Sequence, residues 1–349
     1  MRNTTILFIV VIELLIALGT GCSSGPQKAS IDPAKLRLFS TAPDSVPPKG
    51  GELTVEKVAL GRMLYYDTRL SKSQKISCNS CHDLARYGVD GNPVSTGHKG
   101  QKGDRNSPTV YNAAGHFVQF WDGRARDVEE QAKGPMMNPV EMAMASDKVV
   151  VATLKSMPEY VAAFKKAFPT DKDPVTFDNV GNAIGAFERK LVTSSRWDKF
   201  LKGDEALTAE EKAGLATFIN TGCITCHAGT YLGGNMFQKV GAVKPWPDAT
   251  DPGRFTVTKN EVDRMMFKVP SLRNIEKTGP YFHDGKTATL AEAITKMGVY
   301  QIGKTLTDTE VKSIETFLKA LTGEIPADYI KQPVLPKSTP KTPKASEAD

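Results

Sequence analysis

Apolar side chains recur at helical spacing through much of the chain. In "TLAEAITKMGVY", Leu290, Ala293, Ile294 and Met297 fall at i, i+3, i+4 and i+7, and Thr289 with Glu292 three residues on makes a capping-box start. Similar patterns run through 54–66, 147–168, 175–191, 208–220 and 308–321. No stretch alternates apolar and polar residues for long enough to argue for a sheet. The pattern predicts a mostly α protein with long Gly- and Pro-bearing loops between helices. One such loop, 88–112, carries Gly88, Gly91, Gly97, Gly100 and Gly103 and shows no helical period. Structureless loops of that length inside a compact domain usually have a functional reason. The segment 332–349, "QPVLPKSTPKTPKASEAD", is Pro-, Lys- and Ser-rich and is expected to be disordered.

The 349 residues, 40% hydrophobic and 24% charged, are enough for about two globular domains. A net charge of +6 is spread without long Lys or Arg runs, so nothing marks a nucleic-acid partner. Residues 1–22 read as an export signal, with Arg2, an apolar run from Ile6 to Leu18 and then "GTGC". Thirteen residues are too few to cross a bilayer, which takes about 20. This stretch resembles a bacterial lipoprotein signal, which makes Cys22 the expected site of lipidation; Glu13 and Gly19 depart from that pattern.

The other four cysteines form two pairs, "CNSCH" at 78–82 and "CITCH" at 223–227. Zinc ribbons bring such pairs together across about 15–20 residues. Here the pairs lie 145 positions apart, and zinc leaves the two following histidines unexplained. A redox CxxC pair wants a βαβ setting that this chain lacks. C-x-x-C-H is the attachment signature of c-type haem. Cysteines three apart on one helical turn face the same side and can bond both vinyl groups of one porphyrin, and the next residue brings an imidazole to the iron. Cys78, Cys81 and His82 are therefore expected to hold one haem, and Cys223, Cys226 and His227 another. Each motif lies near the start of its own half, so two related domains with a boundary near 200 are expected.

The sixth position on each iron sets the chemistry. Of the remaining histidines, His98 in the glycine loop is best placed to reach its own haem, sixteen residues after that motif. A solvated loop histidine is the alternative. His116 reads as structural, and His283 as a partner for a propionate or a lock on its turn. Met297 is a candidate ligand for the second haem, although its helical spacing also makes it a core residue.

Taken in order, "SCNSCHDLARYGVD", "GHKGQKGDRNSPTVYN", "FWDGRARDVEEQAKGPMMNPVEM", "GCITCHAGTYLGG" and "KVPSLRNIEKTGPYFHDGKTATLAEAITKMG" resemble the bacterial dihaem cytochrome c peroxidases over roughly 35–330. The resemblance implies two tandem cytochrome-c-like domains, an N-terminal peroxidatic one (35–200) and a C-terminal electron-transfer one (201–330). It makes His98 the displaceable sixth ligand of the low-potential haem and Met297 that of the high-potential haem. It matches Trp121 to the tryptophan between the haems, Glu141 to the catalytic carboxylate and Gln131 to a distal-pocket amide. Asn106, with backbone oxygens of Thr278 and Pro280, matches an interdomain calcium site. It also implies hydrogen peroxide as substrate, a small cytochrome c or cupredoxin as electron donor, reductive activation and a homodimer. Two other readings stay open: a non-enzymatic dihaem electron carrier, and a MauG-like oxidase of protein side chains. In the MauG relative a tyrosine replaces the methionine; here Met297 is present, with Tyr300 three residues on.

Overall fold

A computed structural model describes residues 1, 31–48, 50–247 and 249–347. The expected signal segment and Cys22 lie outside the described residues. The predicted helices form at Val55–Tyr66, Phe177–Glu188, Ala209–Thr221, Leu290–Lys296 and Asp308–Lys319. Each opens on a threonine whose hydroxyl accepts a first-turn N–H, at Thr54, Thr176, Thr208, Thr289 and Thr307. Thr208 with Glu211 and Thr307 with Glu310 complete reciprocal capping boxes. The box expected at Thr289 is half made. Glu292 N donates to Thr289 Oγ1, but the Glu292 carboxylate turns to Lys296 at 2.9 Å.

The pattern over 147–168 is two helices, Asp147–Lys155 and Pro158–Ala167. Pro158 has no N–H to continue the first helix and a backbone angle suited to starting the second. Two further helices, Val128–Met137 and Arg196–Leu201, were not read from periodicity. The first contains Pro135 and the second is under two turns long, so neither shows a clear apolar stripe. An antiparallel ribbon pairs Phe237–Lys239 with Met266–Lys268, a departure from the expected absence of sheet. Strands of three residues are too short for alternation to register.

The buried apolar side chains fall into two clusters. One runs from Leu60 to Leu191 and the other from Trp197 to Leu321, so the cores divide between 191 and 197. Both are built on a close helix crossing. A Cβ on Gly61 would stand 1.8 Å from Ala183 O, and one on Gly214 would stand 2.1 Å from Ser313 O. Only glycine allows those backbones to approach so near.

The chain ends cross over. Phe39 packs edge-on against Trp197 in the second core, while Ile325, Tyr329 and Ile330 pack on the first. A buried network joins the halves: Asn112 Nδ2 and Asn274 Nδ2 both donate to Thr193 Oγ1 at 2.9 Å.

The segment from 332, expected to be disordered, lies along the first core as far as Glu347. Arg69 Nη1 donates to Pro336 O, Gln74 Nε2 to Pro343 O and Ser346 N to Lys72 O. Lys75 pairs with Glu347 at 2.5 Å. Its composition offers little apolar surface to bury, but its carbonyls accept hydrogen bonds from a neighbouring domain, which composition does not reveal. Among the described residues no helix is long and apolar enough to cross a membrane.

Candidate active site

The two CxxCH segments reach the same local geometry by different routes. Cys78–Cys81 is one helical turn, closed at its start by reciprocal bonds between Ser77 and Ser80. Cys223–Thr225 is a tighter turn that follows Gly222, whose left-handed φ of 98° ends the Ala209–Thr221 helix. His82 N donates to Cys78 O at 2.9 Å and His227 N to Cys223 O at 3.0 Å, so the backbone turns at each histidine in the same way. Nδ1 of His82 lies 3.0 Å from Pro108 O, and Nδ1 of His227 lies 3.0 Å from Leu232 O. A carbonyl only accepts, so Nδ1 carries the proton and Nε2 keeps its lone pair for a metal. Burial lowers the pKa of both imidazoles and keeps them neutral.

All four cysteines are free. Burial raises each thiol above its ordinary value, helped at Cys78 by the nearby Glu188 carboxylate. Redox and metal-binding CxxC pairs depend on depressed thiols. These are the opposite.

Both motifs border one cavity of about 1220 Å³. Its walls are largely aliphatic and aromatic, with Val110, Phe267, Leu290, Ile294 and Leu318 among them. Two thiols and a free imidazole nitrogen at each of two places, facing a large apolar space, fit two covalently attached haems. Trp121, Gln131, Glu141, Met297, Asn106, Thr278 and Pro280 border the same cavity. Of the residues expected from the sequence at this site, His98 is the exception. It is 5% exposed and its backbone N–H donates to Val140 O and Glu141 O, but its side chain is off the cavity wall, with Nδ1 buried and unpartnered. Its neighbour Gly97 is on the wall.

Glu141 sits on the turn that follows the Val128–Met137 helix, and Gln131 sits on that helix. Burial pushes the Glu141 carboxyl up, against the opposing pull of Arg124 and of Asn138, whose Nδ2 donates to Oε1 at 3.1 Å. Trp121 is anchored at both ends: Nε1–H donates to Asn106 O at 2.9 Å, and its carbonyl accepts from Lys268 N at 2.8 Å. The Asn106 amide nitrogen donates to Asn92 O and Pro93 O, which leaves Oδ1 for another partner. His283 stacks on Phe267 with ring centres 4.2 Å apart and stands edge-on to Trp121. His116 faces Lys268 across 3.3 Å.

Met297 closes the Leu290–Lys296 helix and opens a wider π-helical turn through Ile302. Tyr300 lies in that turn but not on the cavity wall; its ring packs on Trp246, 5.5 Å between centres. Three further charged residues border the cavity: Arg124 and Lys268 lie within the quoted motifs with no role assigned to them, and Glu188 lies outside those motifs. Arg124 stacks over Phe120 at 3.5 Å. Glu188 is buried beside Cys78, and Lys268 is buried beside Trp121. An isolated charged residue inside an apolar pattern was the available sign, but it does not say which way the side chain turns.

A family model for di-haem cytochrome c peroxidases matches residues 55–206. Cytochrome c551 peroxidase from Pseudomonas aeruginosa is 46% identical, with 89% of this chain and 91% of that protein covered. The chain belongs to the di-haem cytochrome c peroxidase family. It is accordingly an enzyme, an oxidoreductase of the cytochrome c peroxidase class. Cytochrome c551 peroxidase from Nitrosomonas europaea is 49% identical over 82% of this chain and 85% of its own length. Among solved structures, a MauG-like protein associated with microbial copper homeostasis superposes with a TM-score of 0.74 at 30% identity, covering 84% of this chain and 97% of that one. Membership of this family implies two haem c groups, in agreement with the two attachment turns on one cavity.

Proposed function

We propose that this family member reduces hydrogen peroxide to two waters in the periplasm, with electrons arriving singly from a small cytochrome c or cupredoxin. The observation that carries the reading is the single cavity bordered by both CxxCH motifs together with Trp121, Gln131, Glu141 and Met297. Cys78 and Cys81 form thioethers to one haem and His82 ligates its iron; Cys223, Cys226 and His227 hold the other. Bound haem supplies the redox-active iron at which the O–O bond is reduced.

The remaining work falls to side chains. Peroxide reduction takes two electrons and two protons. Glu141, with Oε1 held by Asn138, has Oε2 free to take a proton from the near peroxide oxygen and return it to the departing one. Burial that raises its carboxyl brings proton affinity toward what both transfers need. Gln131 donates from its amide to orient peroxide. Met297 would supply the second haem with a thioether ligand, which favours a high potential. Electrons therefore enter on the Cys223 side and cross beside Trp121, which its two hydrogen bonds hold in place.

His98 rides a loop with Gly97, Gly100 and Gly103. With haem bound, His98 would be the group able to cover the first iron, and the glycines would let it move away at small cost. Its place off the cavity wall supports a histidine that can leave the iron. Each half is a cytochrome-c-like domain, 35–200 and 201–330. We further propose a calcium ion at Asn106 with the backbone oxygens of Thr278 and Pro280, a homodimer, and export through 1–22 with lipid on Cys22.

A MauG-like oxidase is the second reading, favoured by the structural likeness at 30% identity. Against it, Met297 borders the cavity and Tyr300 does not. Haem counting is expected to find two thioether-linked haems per chain. Stopped-flow mixing with peroxide is expected to show much faster consumption by half-reduced than by fully oxidised protein; equal rates would remove His98 as the block.

A further inference from the structure

Lys268 is the last residue of the Met266–Lys268 strand and is 6% exposed. Its Nζ donates to two neutral acceptors, His116 Nδ1 at 3.3 Å and Val118 O at 3.2 Å. Among the described residues no carboxylate lies within ion-pair distance of it. The nearest acid that acts on it, Asp122, is taken up by Arg105 at 2.7 Å and Arg124 at 3.0 Å. A buried ammonium with only neutral partners has lost its hydration without gaining a countercharge. Burial accordingly pulls it down to about 8.

An ammonium carries three N–H donors, and two are used. His116 accepts at Nδ1 and so holds the ammonium in place, while its own Nε2–H is buried against Gly234. Lys268 and His116 both border the cavity that the two attachment turns share. The group missing from this corner is an anionic acceptor.

We propose that Lys268, held by His116 and Val118 O, forms a carboxylate-binding site beside Trp121, and that its ligand is a propionate of a bound haem. This rests on the reading that both motifs carry haem. The site is fixed in position, because the Lys268 backbone N–H is bonded to Trp121 O at 2.8 Å. A propionate paired there has its charge offset by the ammonium, so the oxidised, more positive iron loses part of its stabilisation and the potential of that haem rises. Lys268 is thus a positioning and tuning residue for electron transfer past Trp121. A small anion from solution offers the same chemistry, and the two sources separate experimentally.

The test uses the full-length holoprotein, with K268M and K268R variants, thioether-haem counting and spectroelectrochemical titration at neutral pH. The expected result is two haems in each protein and, in K268M, a shift of at least tenfold in the reduction equilibrium of one haem toward the oxidised form. For a one-electron couple that is about 59 mV. K268R is expected to restore most of the shift. Unchanged potentials in K268M with two haems bound overturn the site. So does a Lys268-dependent shift that varies with chloride or phosphate concentration, since that marks a free anion. Fewer than two haems in the wild type instead overturns the haem reading itself. If K268M does not retain haem, resonance Raman of wild type against K268Q, which removes the charge and keeps a polar side chain, decides. An altered propionate bending band supports the pairing, and an identical band overturns it.

Discussion

The two halves of the molecule share their foundations and differ above them. Each has a helix pair crossing at a glycine, Gly61 or Gly214, and each has an imidazole whose Nδ1 is tied to a backbone carbonyl at 3.0 Å. Along the cavity wall the first half offers Gln131 and Glu141, with His98 on a glycine loop beside it but off the wall. The second offers Met297 at the end of a helix. A residue on a helix is held by hydrogen bonds along its own backbone, whereas one on a glycine loop can be moved at small cost. Two buried acids, one from each half, are also treated differently, although the first half pairs its buried Asp67 and Asp122 with arginines. Glu188 in the first is 4% exposed, and burial, with Glu129 adding to it, pushes its carboxyl up to about 8 against the pull of Arg189. Asp198 in the second is equally buried, but two bonds of 2.8 Å from Arg273 outweigh burial and hold it low. One half keeps a protonatable group beside its attachment turn, and the other neutralises its acid with a fixed cation.

The sharpest test of this contrast is Glu141→Gln. It is expected to keep both haems and lose about 10²- to 10⁴-fold in peroxide turnover, the usual worth of a positioned acid–base group. Full activity would take Glu141 out of the mechanism. Next, Met297→His makes the second half resemble the proposed resting first half. Redox titration should show its potential falling by more than about tenfold in equilibrium constant, and electron paramagnetic resonance should show a second bis-histidine signal. An unchanged spectrum would mean that Met297 is not the ligand.

Gly61→Ala and Gly214→Ala probe the shared foundation. Each places a methyl group about 2 Å from a facing carbonyl oxygen and is expected to cost about 1–3 kcal/mol, read as a lower melting temperature. The smallest effect separates the acids. Glu188 has its native pKa raised, so between about 4.5 and 8 the unfolded chain has released a proton that the folded chain still holds. Its contribution is therefore fully present below that window and is lost as pH rises through it. Glu188→Gln should flatten this decline in urea-unfolding midpoints measured at pH 5, 6.5 and 8. A slope unchanged by the substitution would place its source elsewhere.

Local chemistry was legible before the fold. The two CxxCH turns, the helix start at Thr289 and the five helices predicted from apolar spacing depend on contacts within about four residues, so residue order alone specifies them. The break at Pro158 was missed because the apolar pattern continues across it. The ribbon at Phe237–Lys239 was missed because three residues carry no period. What the sequence determined by itself is where the two CxxCH turns lie; which imidazole nitrogen is left free was settled by the carbonyls of Pro108 and Leu232. Tertiary structure alone decided that Met297 and not Tyr300 borders the cavity, that His98 stands off it, that the Pro-rich tail lies along the first core, and that Lys268 is buried without a countercharge. Those outcomes depend on which distant backbone fills the space opposite each side chain, and the direction of a side chain is settled only when that partner arrives.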